Sequence, residues 1–379
     1  TAVDGGGPAS VALRAIVSIL LLLPPTILMG ATLPAIARFV EATPSGTAWL
    51  GFFYGGNIVG AVVGCLTAGF FLLRKYDLTT ASLVAVALNA LVAGLATVIA
   101  KRAPYAAPAA EPEAAAPAAS WEPRGAYLAI ALSGLTALGA EVVWTRLLSL
   151  LFGATTYAFS VILAVFLIGL GIGSVVGSAI ARESRSPRAL LGWLQLALAM
   201  TTAWGAWALA RSLPHWPINV GLAPSAWFNF QMDLVRSLYV ILPGAILWGA
   251  SFPVALAAAS GGATDPGRTV GRVYAANTLG AIGGSLLTGL VFVPWIGTKG
   301  AQQVLIAVSV VSGMLAIVPL IRPASSTDSA PAWRPGAGTI ASTSTTESTR
   351  PAWINTPQAP TCATRCNVWV MPELPPAHA

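Results

Sequence analysis

GFFYGGNIVGAVVGCLTAG, residues 51–69, returns later in the same chain as GRVYAANTLGAIGGSLLTG, residues 271–289. Gly51, Tyr54, Asn57, Gly60, Ala61, Gly64, Leu66, Thr67 and Gly69 stand opposite Gly271, Tyr274, Asn277, Gly280, Ala281, Gly284, Leu286, Leu287 and Gly289, and only the Thr67/Leu287 pair differs. Each position in the second copy lies 220 residues after its partner. A second pair, LPPTILMGATLP from Leu23 to Pro34 and LPGAILWGASFP from Leu242 to Pro253, has an offset of 219. So many identities at one offset are not chance, and the chain is read as an internal repeat.

Both copies lie in strongly apolar surroundings. Of the 379 residues 56% are hydrophobic and 9% charged, with mean hydropathy +0.75. That composition excludes a soluble globular domain, whose surface needs far more charge. Roughly 20 helical residues span the hydrocarbon of a bilayer. About nine runs of that kind occur, near 10–34, 48–73, 79–100, 125–151, 155–181, 189–210, 234–258, 271–295 and 301–321. The first is too long for a signal peptide and carries Pro24-Pro25 in its middle. The expected fold is an all-α, polytopic membrane helix bundle of about nine spans with a parallel internal repeat.

Matching the two copies aligns the first three runs with the last three and leaves the fourth, fifth and sixth without partners upstream. The chain also opens on Thr1 rather than Met, so a fragment or a processed start is expected, with three further helices in a complete parent. An even number of spans per half makes the repeat parallel, related by an axis along the membrane normal, as in major facilitator transporters. Residues 1–100 then form the C-terminal half of the first membrane repeat and 125–321 the second. Residues 101–124, rich in Ala, Pro and Glu, read as a cytoplasmic linker, and 322–379, rich in Ser, Thr and Pro, as a disordered tail.

Orientation is read from basic residues, which stay on the cytoplasmic side. Arg38, Lys101, Arg102, Arg124, Arg182, Arg185, Arg188, Arg268, Arg272 and Arg322 fall on one face. Arg14, Arg74, Lys75, Arg211, Arg236 and Lys299 fall on the other. The first face is assigned to the cytoplasm, which places the tail there and the N-terminus outside, in the inner (plasma) membrane of the cell. The net charge of +7 suits anionic lipid and calls for no nucleic acid.

Polar groups inside the runs are the candidate functional residues. Glu141 is the one acidic residue deep within a run, and a carboxylate there marks a proton or organic-cation site unless it is a structural ion pair or stays protonated. Arg146, five positions on, lies about 140° around the helix and does not face it. Asn57 and Asn277, with Tyr54 and Tyr274, read first as interhelical hydrogen-bonding groups. Pro25 and Pro34, like Pro243 and Pro253, interrupt apolar runs at corresponding places, where kinks are expected and where transport sites are often built. Glycines spaced by four (Gly56, Gly60, Gly64; Gly169, Gly173, Gly177; Gly280, Gly284) read as packing faces. Gly169-Leu-Gly-Ile-Gly follows no strand, so it is no phosphate loop. Cys65, Cys362, Cys366, His215 and His378 assemble no metal site and no nucleophile.

These motifs resemble the bacterial spermidine synthase-like membrane proteins, in which a major-facilitator-like bundle is fused to an aminopropyltransferase domain. The resemblance rests on GLTALGAEVVWTRLLSLLFGATTYAFSVILAVFLIGLGIGSVVGS from Gly134 to Ser178, on LPGAILWGASFP and on GRVYAANTLGAIGGSLLTG, and with their echoes it covers most of residues 15–320. It implies a major-facilitator-like bundle anchoring or serving polyamine chemistry at the cytoplasmic face. The soluble Rossmann-like half of that family, with its glycine-rich turn and acidic acceptor pocket, has no counterpart here. Asp4-Gly5-Gly6-Gly7 lacks the strand such a turn needs, and Ala140 stands where the family often has an aromatic residue. No catalytic or cofactor-binding residue is therefore carried over, and Glu141, Trp144 and Arg146 match a motif of unproven role. The partners expected are the lipid bilayer, a small organic cation and a missing aminopropyltransferase domain. The alternatives are a free-standing major-facilitator-like transporter of a small cationic solute and an inactive truncated or frameshifted product.

Overall fold

A computed structural model describes residues 8–41, 46–102, 124–216, 225–260 and 266–321. The expected linker, apart from Lys101, Arg102 and Arg124, lies outside the described residues, as does the tail with Cys362, Cys366 and His378.

Every regular element among the described residues is a helix. In chain order they are α1 (Pro8–Glu41), α2 (Gly46–Leu66), the short α3 (Leu73–Lys75), α4 (Leu78–Arg102), α5 (Arg124–Phe152), α6 (Thr156–Glu183), α7 (Pro187–Trp207), α8 (Ala226–Ala259), α9 (Pro266–Leu287) and α10 (Val293–Ile321). A π-helical segment joins α2 to α3 (Thr67–Leu72), another follows α7 (Ala208–Ser212), and a third joins α9 to α10 (Thr288–Phe292). Among the described residues eight stretches are long and apolar enough to cross a membrane. The last, Gly267–Ile317, has 51 residues and is bent at Gly297, where φ is 72° and ψ is 174°. Only glycine holds that conformation without strain.

Local chemistry sets the helix starts. The Thr155 side chain accepts from Ala158 N at 3.2 Å to open α6, and Ser225 accepts from Phe228 N at 3.3 Å to open α8. Pro187 begins α7, where its missing N–H costs nothing. Asp77 opens α4 by accepting from Thr80 N at 2.9 Å. The Thr80 hydrogen bonds hold its carboxyl below the usual carboxylate range, so this cap is intact at neutral pH and is lost as pH falls through that lowered value.

Helix pairing is built on glycine. Along α6, a Cβ placed on Gly169, Gly173 or Gly177 would run into Ala245, Ile246 or Ala250 of α8, and one on Gly249 of α8 would run into the Leu170 carbonyl. Across the α5–α9 contact, Gly280 and Gly284 meet the carbonyls of Ala131 and Leu135, while Gly134 meets that of Asn277. The equivalent stripe on α2 differs, because Gly56, Gly60 and Gly64 have nothing within 4 Å. Two apolar cores result. One gathers Trp144, Trp248, Phe166, Leu198 and Leu305, and the other Ile130, Leu191, Val254 and Val273. By contrast α1 and α4 turn most of their leucines outward, with Leu20 69% and Leu28 70% exposed, surfaces suited to hydrocarbon rather than water.

Pro24, Pro25 and Pro34 lie inside α1, and Pro243 and Pro253 inside α8, and both helices run through them unbroken. Two of the three π segments fall close to the 220-residue spacing of the sequence repeat, while Ala208–Ser212 has no counterpart at that spacing. Residues 67–72, moved on by 220 positions, become 287–292, against the observed π segment Thr288–Phe292. Tyr76 and Asp77, between α3 and α4, become Ile296 and Gly297, the site of the bend.

Substituting Gly284 by leucine should lower the unfolding midpoint of the detergent-solubilised protein by the equivalent of about 1–3 kcal/mol, the usual cost of overpacking. Gly64→Leu, at the matching open position, should leave it in place.

Candidate functional site

Glu141 sits mid-way along α5, half-buried, and makes no hydrogen bond or ion pair with another described residue. Arg146 is exposed and does not pair with it. Trp144, one turn on and 1% exposed, donates from Nε1 to Gln302 Oε1 at 3.3 Å and packs against Trp248 at 5.6 Å between ring centroids. Trp248 in turn donates to Thr136 Oγ1 at 3.2 Å, and Gln195 donates to Ser251 Oγ at 3.1 Å. These are the interhelical hydrogen bonds that hold polar side chains inside an apolar bundle.

The remaining sequence candidates scatter. Asn277 lies half-buried against Gly134, whereas Asn57 is exposed, so the paired asparagines do not share an environment. Tyr274 is half-buried and meets Phe252 edge-on at 6.3 Å. The Tyr54 side chain lies outside the described residues. Pro34, Pro243 and Pro253 are half-buried and Pro25 is exposed, and neither these prolines nor Glu141 lines the cavity at Tyr157 and Asp233 or the one at Trp207 and Gln302.

A different group of residues does converge. Because α8 begins at Ala226 rather than near 234, Asp233 falls about 10 Å inside the helix and is buried, so Glu141 is not the one acid within an apolar helix. Asp233 Oδ1 lies 3.6 Å from Nη1 of Arg236, one turn on, and its Oδ2 accepts from the Tyr157 hydroxyl of α6 at 3.3 Å. The π segment after α2 brings Phe70 edge-on to both Tyr157 (5.4 Å) and Phe230 (5.8 Å), and Trp227 stacks on Phe230 at 5.5 Å. Gly69 before it touches Ser160 of α6 where no side chain would fit, and the Cys65 thiol points at the Ser160 carbonyl, 3.7 Å away. Phe70, Arg74, Tyr157, Trp227, Asp233 and Arg236 line a cavity of about 1040 Å³ at the end of the bundle where α5 finishes and α6 and α8 start. Ligand pockets commonly run from about 300 to 1,000 Å³.

Sequence reasoning passed over this cavity. Its one local signal was the aromatic density of WFNF (227–230) just ahead of Asp233 and Arg236 at helical spacing. Among the described residues no group of three His, Cys, Asp or Glu could hold a metal ion. No family model, no curated protein and no solved structure matches the chain.

Replacing Gln302 by leucine strands the buried Trp144 N–H and should cost about 1–3 kcal/mol, read as a lower midpoint of unfolding in detergent. Asn57→Leu, at an exposed site on α2, should cost little by the same measurement.

Proposed function

We propose that this chain is the membrane portion of a spermidine synthase-like protein, a nine-span bundle of two parallel, major-facilitator-like repeats that moves a small organic cation across the inner membrane. The observation that carries the reading is the recurrence, 220 residues apart, of a π segment followed by a break: Thr67–Leu72 before Tyr76-Asp77, and Thr288–Phe292 before Gly297. Sequence likeness alone could reflect shared helix packing. Repetition of these local departures supports two copies of one structural unit, and π segments often mark functional places in helices.

The same correspondence divides the long final stretch. A straight helix of 51 residues would extend about 77 Å, far beyond a bilayer of about 30 Å, and Gly297 stands where the first copy turns between α3 and α4. Counted as two, the stretch raises eight spans to nine and puts the chain's ends on opposite sides, with the tail cytoplasmic as the basic residues favour.

For the cargo, the support is Glu141. A half-buried carboxylate in mid-span with no counter-charge among the described residues is costly unless a proton or a cationic ligand joins it. Polyamines have that chemistry, and polyamine is the substrate class the motif resemblance implies. Serving an aminopropyltransferase at the membrane surface is the second reading. The α2–α6 packing and the π segment at its edge favour transport, because they lie where one repeat meets the other and would slide if the halves rocked.

In proteoliposomes the purified chain should take up radiolabelled spermidine saturably, and Glu141→Gln should reduce uptake by about tenfold or more while Asn57→Ala leaves it intact. Uptake no greater than in protein-free liposomes would overturn the transport reading. A cysteine introduced as Arg322→Cys, with the native cysteines replaced by serine, should react with impermeant maleimide from the side opposite to one introduced as Arg74→Cys. Labelling from the same side would remove the ninth span.

A further inference from the structure

The cavity at the α6 and α8 starts holds more hydrogen-bond donors than its own acceptors can use. Arg236 presents five N–H groups. Its charged partner among the described residues is Asp233, at 3.6 Å, and its Nε is buried without an acceptor. Asp233, only 9% exposed, is already occupied by Tyr157 on one oxygen and Arg236 on the other. Arg74, from α3, is exposed and makes no ion pair or hydrogen bond with a described residue. Two guanidiniums against one carboxylate leave the described lining with one net positive charge. An ammonium ion would have to displace Arg236 from Asp233 and then sit beside two like charges. An anion meets the unused donors directly.

From this balance we propose that the cavity binds an organic anion, its carboxylate or phosphate head held by Arg74 and Arg236 and its apolar body laid against Phe70, Tyr157, Trp227 and Phe230. Guanidinium groups suit such oxyanions because their N–H groups fork onto two oxygens at once. Phe70, Tyr157 and Phe230 lie within 7 Å of one another and Trp227 stacks on Phe230, giving a wall for a flat or aliphatic body. The head has two natural sources, a water-soluble carboxylate or phosphate and the headgroup of an anionic lipid, since the cavity lies at helix ends. The site is separate from Glu141 and stands whether or not the bundle carries a polyamine. A cation carried by this protein belongs at Glu141.

The test uses the full chain in phosphatidylcholine nanodiscs and follows its thermal unfolding midpoint with phenylacetate, with its amine counterpart phenethylamine, or with phosphatidylglycerol added to the disc. Phenylacetate or phosphatidylglycerol should raise the midpoint and phenethylamine should not. A response to phenylacetate assigns a soluble organic anion, and a response to phosphatidylglycerol alone assigns the lipid headgroup. Arg74→Gln, which breaks no contact with a described residue, should keep the basal midpoint and need about tenfold more anion for the same shift. Arg236→Lys retains a charge for Asp233 while removing the fork, and should weaken the response likewise. The proposal fails if the amine stabilises as well as the acid, if neither anion stabilises, or if both arginine variants respond as the parent does. Unchanged spermidine uptake in Arg74→Gln, alongside the lost anion response, separates this site from the transport reading.

Discussion

Close approach of helix backbones is the constraint on which the rest of this structure depends. Lipid offers apolar side chains no gain from leaving it, so helices associate through packing and through hydrogen bonds that need short distances. Here the short distances come from glycine. Gly169, Gly173 and Gly177 seat α6 on Ala245, Ile246 and Ala250 of α8, and Gly280 with Gly284 seats α9 on the Ala131 and Leu135 carbonyls of α5. With these pairs closed, α5 can present Trp144 and Thr136 to partners on α10 and α8 at 3.3 Å and 3.2 Å. The buried polar contacts are thus a consequence of the glycine faces.

The same pairing positions the cavity. Docking α6 along α8 brings their N-terminal ends side by side, so that Tyr157 in the first turn of one reaches Asp233 in the second turn of the other. The π segment after α2 then completes the wall with Phe70. Each contributing element is short-range chemistry: an N-cap threonine, an N-cap serine and a helix with one wide turn. The resulting constellation is nonetheless drawn from three parts of the chain separated by scores of residues.

That separation explains what could be read from the sequence and what could not. The all-helical class, the apolar stretches and the glycine spacing are local or periodic properties, and the repeat is a comparison of the chain with itself. The partner of a glycine face is neither. Gly60 and Gly64 have the same spacing as Gly280 and Gly284, yet the first pair faces open space and the second meets carbonyls. Hydrophobicity also misplaced the start of α8. The polar residues Asn229, Gln231 and Asp233 ended the apolar run near 234, although Ser225 caps a helix eight residues earlier. Asp233 was thereby read as outside the helix when it is buried within it. A non-helical residue also stands where no proline marks it: α1 and α8 stay helical through Pro25, Pro34, Pro243 and Pro253, and the break in α10 falls at a glycine whose φ is positive.

Two carboxylates, one buried and one half-buried, stand in contrasting surroundings. Asp233 enters its helix with Arg236 one turn away and a tyrosine hydroxyl above it, so its charge is largely answered before any ligand arrives. Glu141 has apolar neighbours on its own helix and no answering charge among the described residues. In a medium of low dielectric the first arrangement is stable as an ion pair, and the second persists only as a neutral acid or with a cation beside it. On the transport reading proposed above, the acid whose demand is unmet is the place where a cation would change the energy of the bundle. The neighbourhood of the satisfied acid is governed instead by the arginine donors left over, and these select for the opposite charge.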